Sequence, residues 1–161
     1  MEKNQSLLIV EDDKDISQVL FEILSPHFAE IFCTDDGIKG LELLRKKRPS
    51  LILTDISLPG LSGIEMIQKA RAEGIDAPVI FQTAHDDKDI MLSALRLGAC
   101  DFISKPFQIQ EVLKTVERVR YTEEKKEKVK SLLTENADPD TVKKEMRMIG
   151  LLQAASVKKA S

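Results

Sequence analysis

Five short apolar runs in this chain each give way to a polar residue, and those residues recur at a nearly even interval. Asp13, Thr34, Asp55, Thr83 and Lys105 follow one another at spacings of 21, 21, 28 and 22 residues. The first run, Leu7-Leu8-Ile9-Val10, stops at Glu11-Asp12-Asp13. Between the runs lie amphipathic stretches. Ile16, Val19, Leu20, Ile23 and Leu24 fall at helical spacing before Pro26, and Ile38, Leu41 and Leu44 share a helical face that opens near Gly37 and closes at Arg45-Lys46-Lys47-Arg48. The second and third strands are Ile31–Thr34 and Leu51–Thr54, and the turn formers of 57–63 make a loop after Asp55. A third helix is expected over Ile64–Glu73 with Ile64, Ile67 and Ala70 buried, then a strand over Val79–Thr83 and a helix from Asp86 to Leu97 capped by Gly98. Phe102-Ile103-Ser104 is the fifth strand, and Ile109, Val112, Leu113, Val116 and Val119 define the fifth helix.

Strict alternation of strand and helix predicts a doubly wound α/β fold, a five-stranded parallel sheet covered on both faces. All strand exits then share one edge, the edge at which open α/β sheets bind ligands. Asp12, Asp13, Asp55, Thr83 and Lys105 gather there. Carboxylates held together repel unless a cation neutralises them. A hard divalent ion such as Mg²⁺ suits oxygen ligands, and no thiolate or imidazole cluster offers a softer alternative. Lys105 and the Thr83 hydroxyl match the anionic oxygens of a phosphoryl group, so the edge reads as phosphoryl chemistry on a carboxylate.

The segments LLIVEDD (7–13), LILTDISLPGLSGIEM (51–66), VIFQTAH (79–85) and LRLGACDFISKPF (95–107) resemble, in order and spacing, a response regulator receiver domain over residues 6–121. The resemblance implies a flavodoxin-like sheet in the order 2-1-3-4-5. It implies Asp55 as phosphoacceptor, Asp12 and Asp13 as the acidic pair holding Mg²⁺ with Asp55, and Ser57 as a ligand through its backbone carbonyl. It further implies Thr83 and Lys105 as the residues that meet the phosphoryl group, Thr83 and Phe102 as a switch pair, and a cis peptide bond before Pro106. The implied partner is a sensor histidine kinase or a phosphotransfer protein, and the implied output is a surface of helix four, strand five and helix five.

Two other classes fit less well. A phosphatase with an aspartyl nucleophile needs a second carboxylate two residues on, where this chain has Ser57. A flavin binder needs a phosphate-cradling loop after the first strand, where this chain has acids. The net charge of −3 excludes a global attraction to nucleic acid or anionic lipid. No apolar run reaches the roughly 18 residues of a membrane span, and no leader-like stretch opens the chain, so a cytoplasmic location is expected. Cys33 and Cys100 match neither a metal nor a redox spacing and are expected as reduced core residues.

Residues 1–121 form the expected receiver, and 122–161 a charged helical extension. Thr122–Lys128 continues helix five, with Val129, Leu132 and Leu133 as an apolar patch. The turn at Asn136–Asp140 and the spacing of Val142, Met146, Ile149 and Leu152 predict a second helix, hence a helical hairpin. Forty residues are too few for a winged helix, so direct DNA binding is not expected. The extension contains no His and is no phosphodonor helix. Two readings stay open: an interaction or homodimerisation tail, with Asp101, Glu111 and Arg118 as candidate cross-subunit charges, or the receiver segment of a longer regulator.

Overall fold

The five apolar runs form five parallel strands, β1 (Ser6–Val10), β2 (Glu30–Thr34), β3 (Leu51–Asp55), β4 (Val79–Thr83) and β5 (Ala99–Ser104), hydrogen-bonded in the order β2-β1-β3-β4-β5. This is a computed structural model, and it describes residues 5–84 and 88–150. Among the described residues there are six α-helices: α1 (Lys14–Leu24), α2 (Gly37–Lys47), α3 (Gly63–Ala72), α4 (Lys88–Arg96), α5 (Ile109–Thr134) and α6 (Pro139–Met148). A 3₁₀ turn, Ser25–His27, holds Pro26 in its first turn, where the missing N–H costs nothing. The fourth helix begins within the described residues at Lys88, and the expected start at Asp86 lies outside them, as do His85 and Leu152.

Reversal of the strand order at β1 decides which helix covers which face. Leu8, Val10, Ile52, Val79 and Phe81 point to one side, where Leu41 and Leu44 of α2, Met66, Ile67 and Ala70 of α3, and Ala94 of α4 complete a buried cluster. Alternation sends Leu7, Ile9, Leu51, Leu53, Ile80 and Ile103 to the other face. That face is left to α1, with its buried Leu20 and Leu24, and to the start of α5, with Val112 and Val116. Burial on both faces explains why the strands read as continuous apolar runs.

Two expectations need correction here. Cys33 and Cys100 are surface thiols, not core residues. They lie on β2 and β5, the two edge strands of the sheet. Ile38 is 56% exposed, and its side chain lies beside Gly60 in the loop after β3 instead of in the core.

That loop is fixed by close backbone approaches. A Cβ on Gly63 would stand 2.0 Å from the carbonyl oxygen of Asp55, and one on Gly37 would stand 1.9 Å from that of Leu61. The Gly63 amide donates to Ile56 O at 2.8 Å, which turns the chain directly from β3 into α3, and Ser62 and Glu65 close a capping box on that helix. Arg71 of α3 donates to the carbonyls of Leu97, Ile75 and Ala77 at 3.0, 2.6 and 2.8 Å, tying the far ends of α3 and α4 to the approach to β4.

The chain divides into two compact units inside α5, between Glu117 and Arg118, a few residues before the limit at Tyr121 expected from sequence. In the second unit the later half of α5 and α6 make a helical hairpin. Asn136 at its turn adopts a left-handed conformation, and Asp138 caps α6 ahead of Pro139. Val129 and Val142 are buried, and Glu145 accepts from Lys128 Nζ at 2.7 Å with Lys125 Nζ at 3.5 Å. Leu133 is exposed, because a two-helix unit buries only one face of each helix.

Gly63→Ala should destabilise the chain by about 1–3 kcal/mol, as overpacking against backbone does, and urea unfolding measures it. The hydrogen bond from Lys128 holds the Glu145 carboxyl below its ordinary value of 4.5. A lowered carboxyl stabilises the fold above its ordinary pKa and loses that contribution as pH falls through the lowered value. Between neutral pH and values below 4.5, the helical signal of the full chain should therefore fall further for wild type than for Glu145→Gln.

Candidate phosphoacceptor site

The carboxyl edge of the sheet brings together the ends of β1, β3 and β5. Beyond β1, the Glu11 amide donates to Thr34 O at 3.0 Å, extending the β1–β2 ladder by one residue and burying the Glu11 side chain. At the end of β3, Asp55 is buried, and its Oδ1 accepts from the Ser57 amide at 2.8 Å. Past β5, the Lys105 amide donates to Thr83 O at 2.8 Å, and the Lys105–Pro106 bond is cis. The Lys105 ammonium then reaches across the edge to Glu11 Oε2 at 2.6 Å and to Asp55 Oδ2.

Electrostatics follow from this geometry. Burial pushes the Glu11 carboxyl above its ordinary range, and the hydrogen bond from Lys105 only partly opposes it. Burial also works against the Lys105 ammonium, but hydrogen bonds to Asp55 and Glu11 outweigh that cost and raise its pKa. The lysine therefore stays charged and neutralises part of the acidic group. Carboxylate oxygens of Glu11, Asp12 and Asp55 lie within 4.8 Å of one another, a hard-oxygen set of the kind that suits Mg²⁺.

The structure brings Asp12, Asp55 and Lys105 together and directs Asp13 elsewhere. Asp13 is the N-cap of α1, its Oδ1 accepting from the amides of Asp15 and Ile16 at 2.9 and 3.1 Å. Glu11 takes the place beside Asp12 that the resemblance gave to Asp13. An N-cap acid ahead of an amphipathic helix was the available signal, since capping Lys14–Leu24 with Asp13 leaves Glu11 and Asp12 as the pair. Thr83 is buried at the end of β4, one residue beyond Gln82, which is the register partner of Asp55. Phe102 is half-buried on β5 in register with Phe81, and the two rings stack with centroids 6.2 Å apart.

Two buried acids, a lysine clamped between them and a buried threonine thus stand at one edge of the sheet. The chain belongs to the response regulator receiver family: the model of the response regulator receiver domain matches residues 7–117. It is 38% identical over 112 residues to the DNA-binding transcriptional regulator NtrC of Escherichia coli K12, covering 68% of this chain and 24% of NtrC. Over 115 residues it is 31% identical to sporulation initiation phosphotransferase F of Bacillus subtilis, covering 71% of this chain and 93% of that protein. Among solved structures it matches the receiver domain of the sensor histidine kinase PA1611 of Pseudomonas aeruginosa, which carries a magnesium ion in its active-site cleft. That match has a TM-score of 0.63 and 29% identity, and covers 71% of this chain and 96% of that domain. The chain spans about a quarter of NtrC but nearly all of the phosphotransferase. Receiver domains serve two-component signalling and bind Mg²⁺ at an acidic pocket. Among the described residues no helix is long and apolar enough to cross a membrane.

Removing the Asp13 cap should lower stability without touching the carboxylate group. Asp13→Ala is expected to cost about 1 kcal/mol, and Asp13→Asn, which caps equally well, should restore it. Thermal unfolding of both variants tests the assignment.

Proposed function

We propose that the chain accepts a phosphoryl group on Asp55 from a histidine kinase or phosphotransfer protein. The observation that carries this reading is the Lys105 ammonium shared between Asp55 and Glu11 at a hard-oxygen pocket. The Ser57 amide orients the Asp55 carboxylate, leaving the second oxygen, now on Lys105, as the nucleophile. Its attack forms a P–O bond as the P–N bond of a phosphohistidine breaks and the electron pair returns to the imidazole, which takes up a proton. Lys105 then exchanges a carboxylate oxygen for a phosphoryl oxygen, and the Thr83 hydroxyl donates to another.

Asp12, Asp55 and the Ser57 carbonyl are the residues assigned to hold Mg²⁺. Both Glu11 oxygens are engaged, by Lys105 and by the Asp13 amide, so Glu11 positions the lysine. Bound Mg²⁺ supplies neutralisation of the charge that develops on the transferred group. Ser57 stands where a second carboxylate would serve as general base, which favours a persistent mark over rapid turnover.

Output on this reading passes through the face of α4, β5 and α5. Leu92 and Leu95 on α4 are 50% and 54% exposed and Ile109 on α5 is 49% exposed, which leaves apolar side chains on this face open to a partner. Because α5 runs unbroken into the hairpin, the tail is assigned a role in interaction or in joining a further domain. Asp101 and Arg118 have interactions within the chain, so cross-subunit bridges are not needed to account for them.

With Mg²⁺ and a small phosphodonor, intact-mass measurement should show one phosphoryl group on wild type and none on Asp55→Asn. A label persisting on that variant overturns the nucleophile. Asp12→Ala should weaken Mg²⁺ binding by roughly tenfold or more, since loss of even an outer-shell partner costs that much, while Asp13→Ala leaves it unchanged.

A further inference from the structure

Gln82 is wholly buried, 0% exposed, and among the described residues neither its amide oxygen nor its amide nitrogen has a hydrogen-bond partner. Its backbone carbonyl is engaged in the ladder, accepting from the Ile56 amide at 3.0 Å. Its side chain is therefore anomalous, since buried polar groups in folded proteins are nearly all paired. Leaving both ends of an amide unpaired ranks among the costlier things a buried side chain can do.

The location narrows the explanation. Parallel register pairs Gln82 with Asp55 of β3 on one side and Ile103 of β5 on the other. Register partners in a parallel sheet point to the same face, so the amide stands beside the Asp55 side chain. One layer below, the paired residues Leu53 and Ile80 are apolar, and Ile103 is buried. Lys105, two residues past Ile103, reaches the same carboxylate. Gln82 is thus a buried amide beside Asp55, one layer above the apolar pair.

In the unmodified site the carboxylates are served without it, Asp55 by Ser57 and Lys105 and Glu11 by Asp13 and Lys105. A phosphoryl group that draws Lys105 away removes one donor from each. Resting on the phosphoacceptor reading, we propose that Gln82 is a positioning residue for the modified state. Its Nε2 donates toward the Asp55 side chain once Lys105 has turned to the phosphoryl group. Modification then relieves a penalty that the resting state carries, and the population shifts toward the modified arrangement by that difference.

Thermal unfolding and beryllofluoride titration in Mg²⁺, on the full chain, compare wild type with Gln82→Met and Gln82→Leu, which keep the volume but discard the amide. The free variants should melt above wild type, and beryllofluoride should bind them roughly tenfold more weakly, equivalent to about 1.4 kcal/mol. In wild type, the Gln82 side-chain amide resonances should shift and gain protection from exchange on beryllofluoride addition. Equal rises in melting temperature with and without beryllofluoride would mean an amide unpaired in both states. Equal falls would mean one paired with buried water in both. Either result, or amide resonances that do not respond, overturns the proposal. Wild type that binds beryllofluoride while the variants bind as well removes Gln82 alone; wild type that does not bind removes the phosphoacceptor reading with it.

Discussion

Lys105 holds the carboxyl edge together by sitting between two buried acids that would otherwise repel. At an effective dielectric of about 20, two unit charges 4 Å apart interact by about 4 kcal/mol, so an unneutralised Glu11–Asp55 pair would strain the ends of β1 and β3. The shared ammonium removes that repulsion. It can do so only because the sheet order places β3, which carries Asp55, between β1, which Glu11 follows, and the β4–β5 side, where Lys105 follows β5. The backbone bond from the Lys105 amide to Thr83 O sets the lysine at the point where it spans the gap.

The loop after β3 meets a second constraint from the same centre. Asp55 must end its strand with its carboxylate in the pocket while its own carbonyl is approached by Gly63, at a distance no side chain permits. The Ser57 amide and the Gly63 amide consume acceptors on either side of this turn. Packing on the far side then follows: Met66, Ile67 and Ala70 of α3 enter the core directly from a helix whose start is held against the phosphoacceptor strand. Core and site are therefore joined through the backbone of this turn, at Asp55, Ile56 and Gly63.

The fold and the strand-exit residues were legible because burial on both faces leaves a plain signature, apolar runs cut off by polar exits. Identity within the acidic triplet was harder. All three of Glu11, Asp12 and Asp13 are carboxylates, and periodicity alone does not say where the strand ends and the helix cap begins. Register settles it: Ile9 is opposite Leu53, so the next residue on that face, Glu11, comes opposite Asp55. Cys33 and Cys100 misled for a related reason, since an edge strand has the composition of a core strand without its cover. Gln82 reads as one polar residue inside VIFQT, because a sequence does not reveal that a buried amide lacks partners.

Helix α5 combines two kinds of stability in one element. Its first turns are buried through Val112, Thr115 and Val116, whereas Thr122–Lys128 carries no aliphatic side chain to bury. A charged helical segment of that kind gains only tenths of a kcal/mol from each pair such as Lys126–Glu123. Isolated helices need more than that to persist in water. The hairpin supplies it, because Lys125 and Lys128 from the charged turn both engage Glu145 of α6 while Val129 and Val142 are buried nearby. The charge run is therefore a structural seam of the second unit, and its lysines are spoken for within the chain before any partner arrives.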